Sequence, residues 1–211
     1  MRRSFRNLVA ISFILFSACN AQSKVEATPV NSVITEAAVE RPSNVLIHWQ
    51  IRQDESQLTF SAIQDGTPFT GEFLDFNAEI AFDPDNLDGS KITGQVNTKE
   101  VATGNGDIDN TLPAKDWLWI KKFPTAQFVS DAITLGEDGT YIAAGHLTIR
   151  DISLPIDLNF DLEIVNGVAT AKGRFSFERL DFGLGGGKWA GEDWAGPTID
   201  VEMTVIADAI K

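Results

Sequence analysis

The chain has 211 residues, enough for one sizeable core with appendages and short for two. Hydrophobic residues make up 43% and charged residues 22%, which predicts a globular body, and Lys+Arg 17 against Asp+Glu 30 gives a net charge of −13 that repels nucleic-acid phosphates. A single cysteine excludes a disulfide framework and a Cys-rich metal cluster, and two histidines, His48 and His146, leave little material for a catalytic triad or a metal site.

Residues 1–18 read as a secretory signal: Arg2, Arg3 and Arg6 precede Leu8 to Ala18, an uncharged apolar run too short to span a bilayer comfortably. Cys19 follows Leu15-Phe16-Ser17-Ala18, a junction that resembles the lipobox of bacterial lipoproteins, whose cysteine is acylated and becomes the new N-terminus; Phe16 stands where that pattern prefers leucine. Lipidation of Cys19 implies membrane contact through an N-terminal lipid anchor in the periplasm or cell envelope. Asn20 is not the aspartate that favours inner-membrane retention, which points to the outer membrane. The alternative is ordinary cleavage after Ala21 and a soluble periplasmic form. Residues 19–44 are rich in Ala, Val, Glu, Thr, Ser and Pro and hold no aromatic residue, so they read as a flexible tether, with the domain over 45–211.

Beyond that point the dominant hydrophobic period is two. Leu58, Phe60 and Ala62 alternate with Gln57, Thr59 and Ser61, and Phe76, Ala78, Ile80 and Phe82 alternate with Asn77, Glu79 and Ala81. Leu154, Ile156, Leu158, Phe160 and Leu162 alternate with Pro155, Asp157, Asn159 and Asp161, and Ile199, Val201, Met203 and Val205 with Asp200, Glu202 and Thr204. Each run predicts a strand with one apolar and one wet face. Asp83-Pro84-Asp85, Asp88-Gly89, Glu137-Asp138-Gly139 and Asn166-Gly167 supply the turns, the last a two-residue hairpin signal. The spacing predicts an all-β antiparallel barrel or sandwich of about eight strands.

One interval departs from this rhythm. Between Val101 and Phe123, Asp107, Asp109 and Asn110 offer helix N-caps, and Leu112, Ala114, Trp117, Leu118 and Ile120 predict a short helical insert that closes one barrel end. No catalytic constellation emerges. Gly183-Leu184-Gly185-Gly186-Gly187-Lys188 lacks the first Gly and the Ser or Thr of a phosphate loop, Asp107 and Asp109 lack the Gly and distal Glu of a calcium loop, and Gly-x-Ser-x-Gly is absent. Each histidine reads as a hydrogen-bonded wall residue rather than a base.

Several motifs in order resemble the YceI-like lipid- and polyisoprenoid-binding proteins: Trp49-x-Ile51, Ser56-x-Leu58-x-Phe60, Gly71-x-Phe73, Phe82-Asp83-Pro84 and Val101-x-Thr103. They continue with Phe123-Pro124-x-Ala126-x-Phe128-x-Ser130, Gly145-x-Leu147-Thr148-Ile149-Arg150-Asp151 and Arg179-Leu180-Asp181-Phe182-Gly183, with Asp151 in place of the usual glycine. The resemblance implies a lipocalin-like, extended antiparallel β-barrel without catalytic or metal-binding residues. It also implies a non-covalently held isoprenoid quinone or polyprenyl lipid in an apolar channel. On that reading Phe60, Phe76, Ala78, Ile80, Phe128, Leu147, Leu158, Phe160, Phe175, Val201 and Met203 line the channel. Trp117, Trp119, Trp189 and Trp194 mark a mouth, with their indole N–H groups wet and Lys115, Lys121, Lys122 and Lys188 nearby. Periodicity alone leaves a filled core equally open. Trp189 and Trp194 resemble a subgroup sometimes joined to cytochrome b561-type membrane proteins, so an interaction module serving such a protein is the alternative to a carrier.

Overall fold

Eleven antiparallel strand segments form one sheet that closes on itself. They are seen in a computed structural model that describes residues 46–191 and 195–210; the signal, the tether with Cys19, and Trp194 lie outside the described residues. In chain order the first six are β1 (His48–Ile51), β2 (Gln57–Gln64), β3 (Thr67–Phe73), β4 (Phe76–Ala81), β5 (Lys91–Asn97) and β6 (Val101–Ala102). The remaining five are longer: β7 (Thr125–Leu135), β8 (Tyr141–Ile149), β9 (Ile152–Val165), β10 (Val168–Glu178) and β11 (Thr198–Ile210). The ring runs β1-β4-β5-β7-β8-β9-β10-β11 and returns to β1, an eight-membered closed barrel, with β2, β3 and β6 continuing the wall beyond β11.

The eight strands expected from periodicity and the eleven segments observed are reconciled by three interruptions. Between β1 and β2, Gln53–Glu55 form a 3-10 turn, and the hydroxyl of Ser56 takes over a ladder position by accepting the Ile206 N–H at 3.0 Å. Between β3 and β4 the chain steps out at Leu74, whose N–H donates to the Glu100 carbonyl at 2.7 Å. Between β5 and β6, buried Thr98 donates its N–H to the Pro124 carbonyl at 2.9 Å. Each pair is one strand bent at a point where a local side-chain or loop contact replaces the regular pairing.

Strand β11 is the seam. Along one edge it pairs with β10 from Glu178↔Thr198 to Val168↔Asp208; along the other it pairs first with β2 (Met203↔Leu58) and then with β1 (Ile51↔Ala207). Two hairpins close with positive φ at both central residues: Asp65 (49°) and Gly66 (70°) join β2 to β3, and Asn166 (53°) and Gly167 (80°) join β9 to β10. In the β8–β9 turn, where Asp151 stands in place of the usual glycine, Arg150, at φ 60°, carries the left-handed conformation, and its guanidinium holds the Gly183 carbonyl at 2.6 Å. Gly71 explains one motif, because Phe60 lies directly opposite it and a Cβ there would come within 2.4 Å of the Phe60 ring.

The insert between β6 and β7 holds one helix, α1 (Gly106–Thr111). Its cap is Asn105, whose side chain accepts the Asp107 N–H, rather than any of the expected Asp107, Asp109 and Asn110. Asp109 is drawn instead to Thr103, accepting its N–H at 2.8 Å and its hydroxyl at 2.7 Å. The following apolar residues form turns, consistent with Pro113 discouraging continuation of the helix. Ile108 and Leu118 are buried and anchor the insert over the barrel end.

Near the seam, Arg52 grips Asp208 through Nε (2.7 Å) and Nη2 (2.6 Å), and these hydrogen bonds hold the Asp208 carboxyl below its ordinary value. A depressed carboxylate stabilises the fold above its unfolded pKa, and the contribution is lost as pH falls through the folded value. Asp208→Asn should therefore flatten the acid limb of a stability–pH profile below about pH 4, with little change in its shape near neutrality. Urea midpoints of both proteins across that range provide the check, and parallel acid limbs would count against this linkage.

Candidate functional site

Inward-facing residues of the barrel leave it hollow rather than filled. One cavity of about 170 Å³ occupies the end nearer β1, and a second of about 350 Å³ lies under the insert; Val96, Ala126, Leu147 and Phe175 line both, so the two meet at a shared waist. The first is walled almost entirely by apolar side chains and bare backbone, including Trp49, Ile51, Phe82, Ile92 and Gly94. Phe82 packs edge-on to Tyr141 at 5.4 Å, Tyr141 stacks on Phe160 at 5.2 Å, and the buried Trp49 indole donates to the Phe82 carbonyl at 2.9 Å. These contacts make an aromatic plug at that end.

The second cavity is of mixed character. Phe60, Phe69 and Phe73 form an aromatic group on one side, with Phe60 ring centroids 6.1 and 5.4 Å from the other two, and the insert contributes Ile108, Leu112, Trp117 and Leu118. Gln64, Thr98, Asp107, Thr111 and Arg179 add polar groups. Ile63 lines this cavity while remaining 47% exposed, which places a rim at the β2–β3 hairpin. Across the rim, residues 184–191 and 195–196 form a strap, joined to the hairpin by the Gly196 N–H to the Ile63 carbonyl at 2.8 Å.

Arg179 organises the strap. It is 1% exposed, and its guanidinium donates to the carbonyls of Gly196 and Leu184 at 2.9 Å, Gly185 at 2.8 Å, Trp189 at 2.9 Å and Ala195 at 3.1 Å. The glycine-rich segment thus gives carbonyl oxygens to a buried cation, the opposite of the N–H cradle that a phosphate loop needs. Gly185, at φ 66°, lies so close to the Trp117 ring that a Cβ would come within 2.7 Å.

The positions nominated from sequence distribute as follows. Phe76, Ala78, Ile80, Phe128, Leu158, Phe160 and Met203 line the first cavity; Phe60, Val201, Trp117 and Trp189 line the second; Leu147 and Phe175 line both. Two expectations about the mouth are corrected. Trp117 keeps its indole N–H buried, with no hydrogen-bond partner among the described residues, instead of wet, because the insert folds its ring under the strap. Trp119 lines neither cavity; at φ 48° it packs on Phe123 and beneath Lys115, Lys122 and Arg150, at 5.2, 4.9 and 5.7 Å from its ring centre. Lys115 and Lys122 flank Trp119 and Lys188 lies over Trp189 at 4.7 Å, and none of these three nor Lys121 lines either cavity.

His48 and His146 are both exposed, and His146 Nδ1 sits 2.7 Å from Asp131, the residue bulged out of β7. Among the described residues, no group of three or more His, Cys, Asp or Glu is placed to hold a metal ion. Sequence reasoning missed Trp49, Phe82, Phe69, Phe73 and Arg179 as cavity residues. Phe82 could have been found, since it ends the alternating run that begins at Phe76.

Comparison with known proteins agrees with this architecture. The chain resembles a UPF0312 protein of Yersinia enterocolitica at 33% identity over 92 residues, 44% of this chain and 47% of that protein, and one of Yersinia pestis at 34% over the same length. The matched part is thus about half the length of these curated relatives. Among solved structures, Burkholderia cenocepacia BcnA superimposes with a TM-score of 0.71 at 22% identity, covering 74% of this chain and 98% of that one. A polyisoprenoid binding domain from Saccharophagus degradans, implicated in plant cell wall breakdown, gives 0.61 at 13%, covering 78% and 99%. A Campylobacter jejuni YceI protein gives 0.53 at 23%, covering 67% and 84%. The family model described as the YceI-like domain matches residues 49–207, from the first strand of the barrel almost to the end of its seam, and the chain belongs to that family.

Proposed function

We propose that this protein is a non-catalytic carrier of an isoprenoid lipid, an isoprenoid quinone or a polyprenyl lipid, in the cell envelope. The observation that carries the reading is the pair of cavities meeting at Leu147 and Phe175 inside a closed barrel, plugged by aromatics at one end and rimmed at the other. A slender tail enters the dry cavity and its head stays under the strap. Burial of the tail drives binding at about 0.8 kcal/mol per methylene. The name of the Saccharophagus degradans domain supports the same ligand class. Native mass spectrometry after gentle purification, followed by lipid extraction, tests the proposal: a reproducible isoprenoid at near-stoichiometric amount is expected, and a barrel consistently empty of lipid would refute it.

The carrier works at a membrane, anchored through acylated Cys19 in the outer membrane. Cys19→Ala should move the protein from the membrane to the soluble envelope fraction, since one acylated cysteine with several chains supplies the attachment. Fractionation provides the readout, and recovery of an unmodified N-terminus at Gln22 from the wild type would refute the anchor.

A further inference from the structure

The second cavity supplies hydrogen-bonding groups without supplying an available positive charge. Among the described residues, the charged side chains lining it are Arg179 and Asp107. All five guanidinium N–H groups of Arg179 are engaged by backbone carbonyls. Asp107 is an acid at an exposed position of α1. Lys115 and Lys122 are drawn to Trp119, which lies outside the lining, and Lys188 is exposed and lies over Trp189. A phosphate brought under the strap would surrender its hydration, and among the described residues that line the cavity the one cation, Arg179, is already engaged by carbonyls.

One lining residue offers a donor. The Trp117 indole N–H is buried and has no partner among the described residues, and its ring is fixed by the bare backbone of Gly185, by Trp189 at 6.3 Å and by the Arg179 guanidinium at 5.7 Å. Buried indole N–H groups usually find an acceptor.

We infer that the second cavity is a head-group site for an uncharged hydrogen-bond acceptor, a hydroxyl or carbonyl oxygen received by the Trp117 N–H, and that it selects against a phosphate on the same tail. The inference rests on the carrier reading and narrows its ligand class. The occupant is a prenyl alcohol or a quinone, with the tail running through the waist into the dry cavity.

Three probes of equal tail length test it by competition in native mass spectrometry: geranylgeraniol, geranylgeranyl phosphate, and phytane, which has no head. The wild-type protein should bind geranylgeraniol at least tenfold more tightly than the phosphate. Trp117→Phe should weaken geranylgeraniol several-fold more than phytane, and Asp107→Lys, at an exposed helix position, should narrow the gap between alcohol and phosphate. Phosphate bound as tightly as the alcohol, or Trp117→Phe weakening alcohol and hydrocarbon equally, would overturn the inference while leaving the carrier reading in place. Failure of all three probes to bind would overturn both. Should Trp117→Phe fail to fold, the wild-type ranking and Asp107→Lys still decide.

Discussion

Gly94→Leu is expected to cut isoprenoid retention by more than tenfold while leaving the thermal midpoint unchanged or raised. Gly94 sits in the middle of β5, between Ala78 and Phe128 on the neighbouring strands, and faces the first cavity. A Cβ built there meets no atom within 4 Å, so the isobutyl group enters space that the lipid tail would occupy. A glycine inside a strand is destabilising by about 0.5–1 kcal/mol relative to alanine, and the new side chain also buries apolar area, so the fold gains while the ligand loses. Ala78→Trp, from the adjacent strand, fills the same volume by another route. In a solid core either change would overpack and lower stability by about 1–3 kcal/mol. Retention of lipid by both variants would place the ligand outside this cavity.

Arg179→Met should produce the largest loss of stability of any single substitution considered, about 3–5 kcal/mol in urea unfolding. Methionine matches the aliphatic length but leaves the strap carbonyls of Leu184, Gly185, Trp189, Ala195 and Gly196 without their donor. An unsatisfied buried carbonyl costs about 1–3 kcal/mol, and the terms do not simply add, because a loosened strap turns some of its carbonyls to water. Arg179→Lys should fall between, since an ammonium has three donors and cannot satisfy all five oxygens. A loss below about 1 kcal/mol for Arg179→Met would mean that the strap is held by other contacts.

Much of the barrel was legible because half-buried strands leave a period-two trace. Along β9, Leu158 and Phe160 are buried and Leu154, Ile156 and Leu162 partly so, while Ser153, Pro155, Asp157, Asp161 and Glu163 are exposed, as the alternation requires. Of that run, Leu158, Phe160 and Leu162 line the first cavity, while Leu154 and Ile156 line neither. Hollow against filled was not legible, because a wall residue and a core residue carry the same pattern; the difference lies in how small residues such as Gly94 and Ala78 align across strands.

Arg179 was read only as part of a motif. Nothing in the residue pattern marks an arginine as buried when its partners are backbone carbonyls of the loop that follows it, because such carbonyls have no side-chain signature. The reading of Trp117 as wet failed for a related reason: an amphipathic ring near a loop suggests an interface, but the tertiary fold of the insert placed it beneath the strap. Asn105 displaced the acidic residues as the helix cap because Thr103 engaged Asp109 first.

The seam at β11 also sets the order in which the chain can assemble. Hairpins such as β2–β3 and β9–β10 need only neighbours in sequence, whereas Arg52 reaches Asp208 across 156 residues and Ser56 reaches Ile206 across 150. Such distant pairings slow folding and come late. Until β11 emerges, the nascent chain is an open meander whose β1, β2 and β10 edges lack their final partner, the arrangement most prone to edge-to-edge aggregation. A stop or proteolytic cut before Thr198 therefore yields not a smaller barrel but an adhesive sheet, and synthesis must be completed before the cylinder can exist.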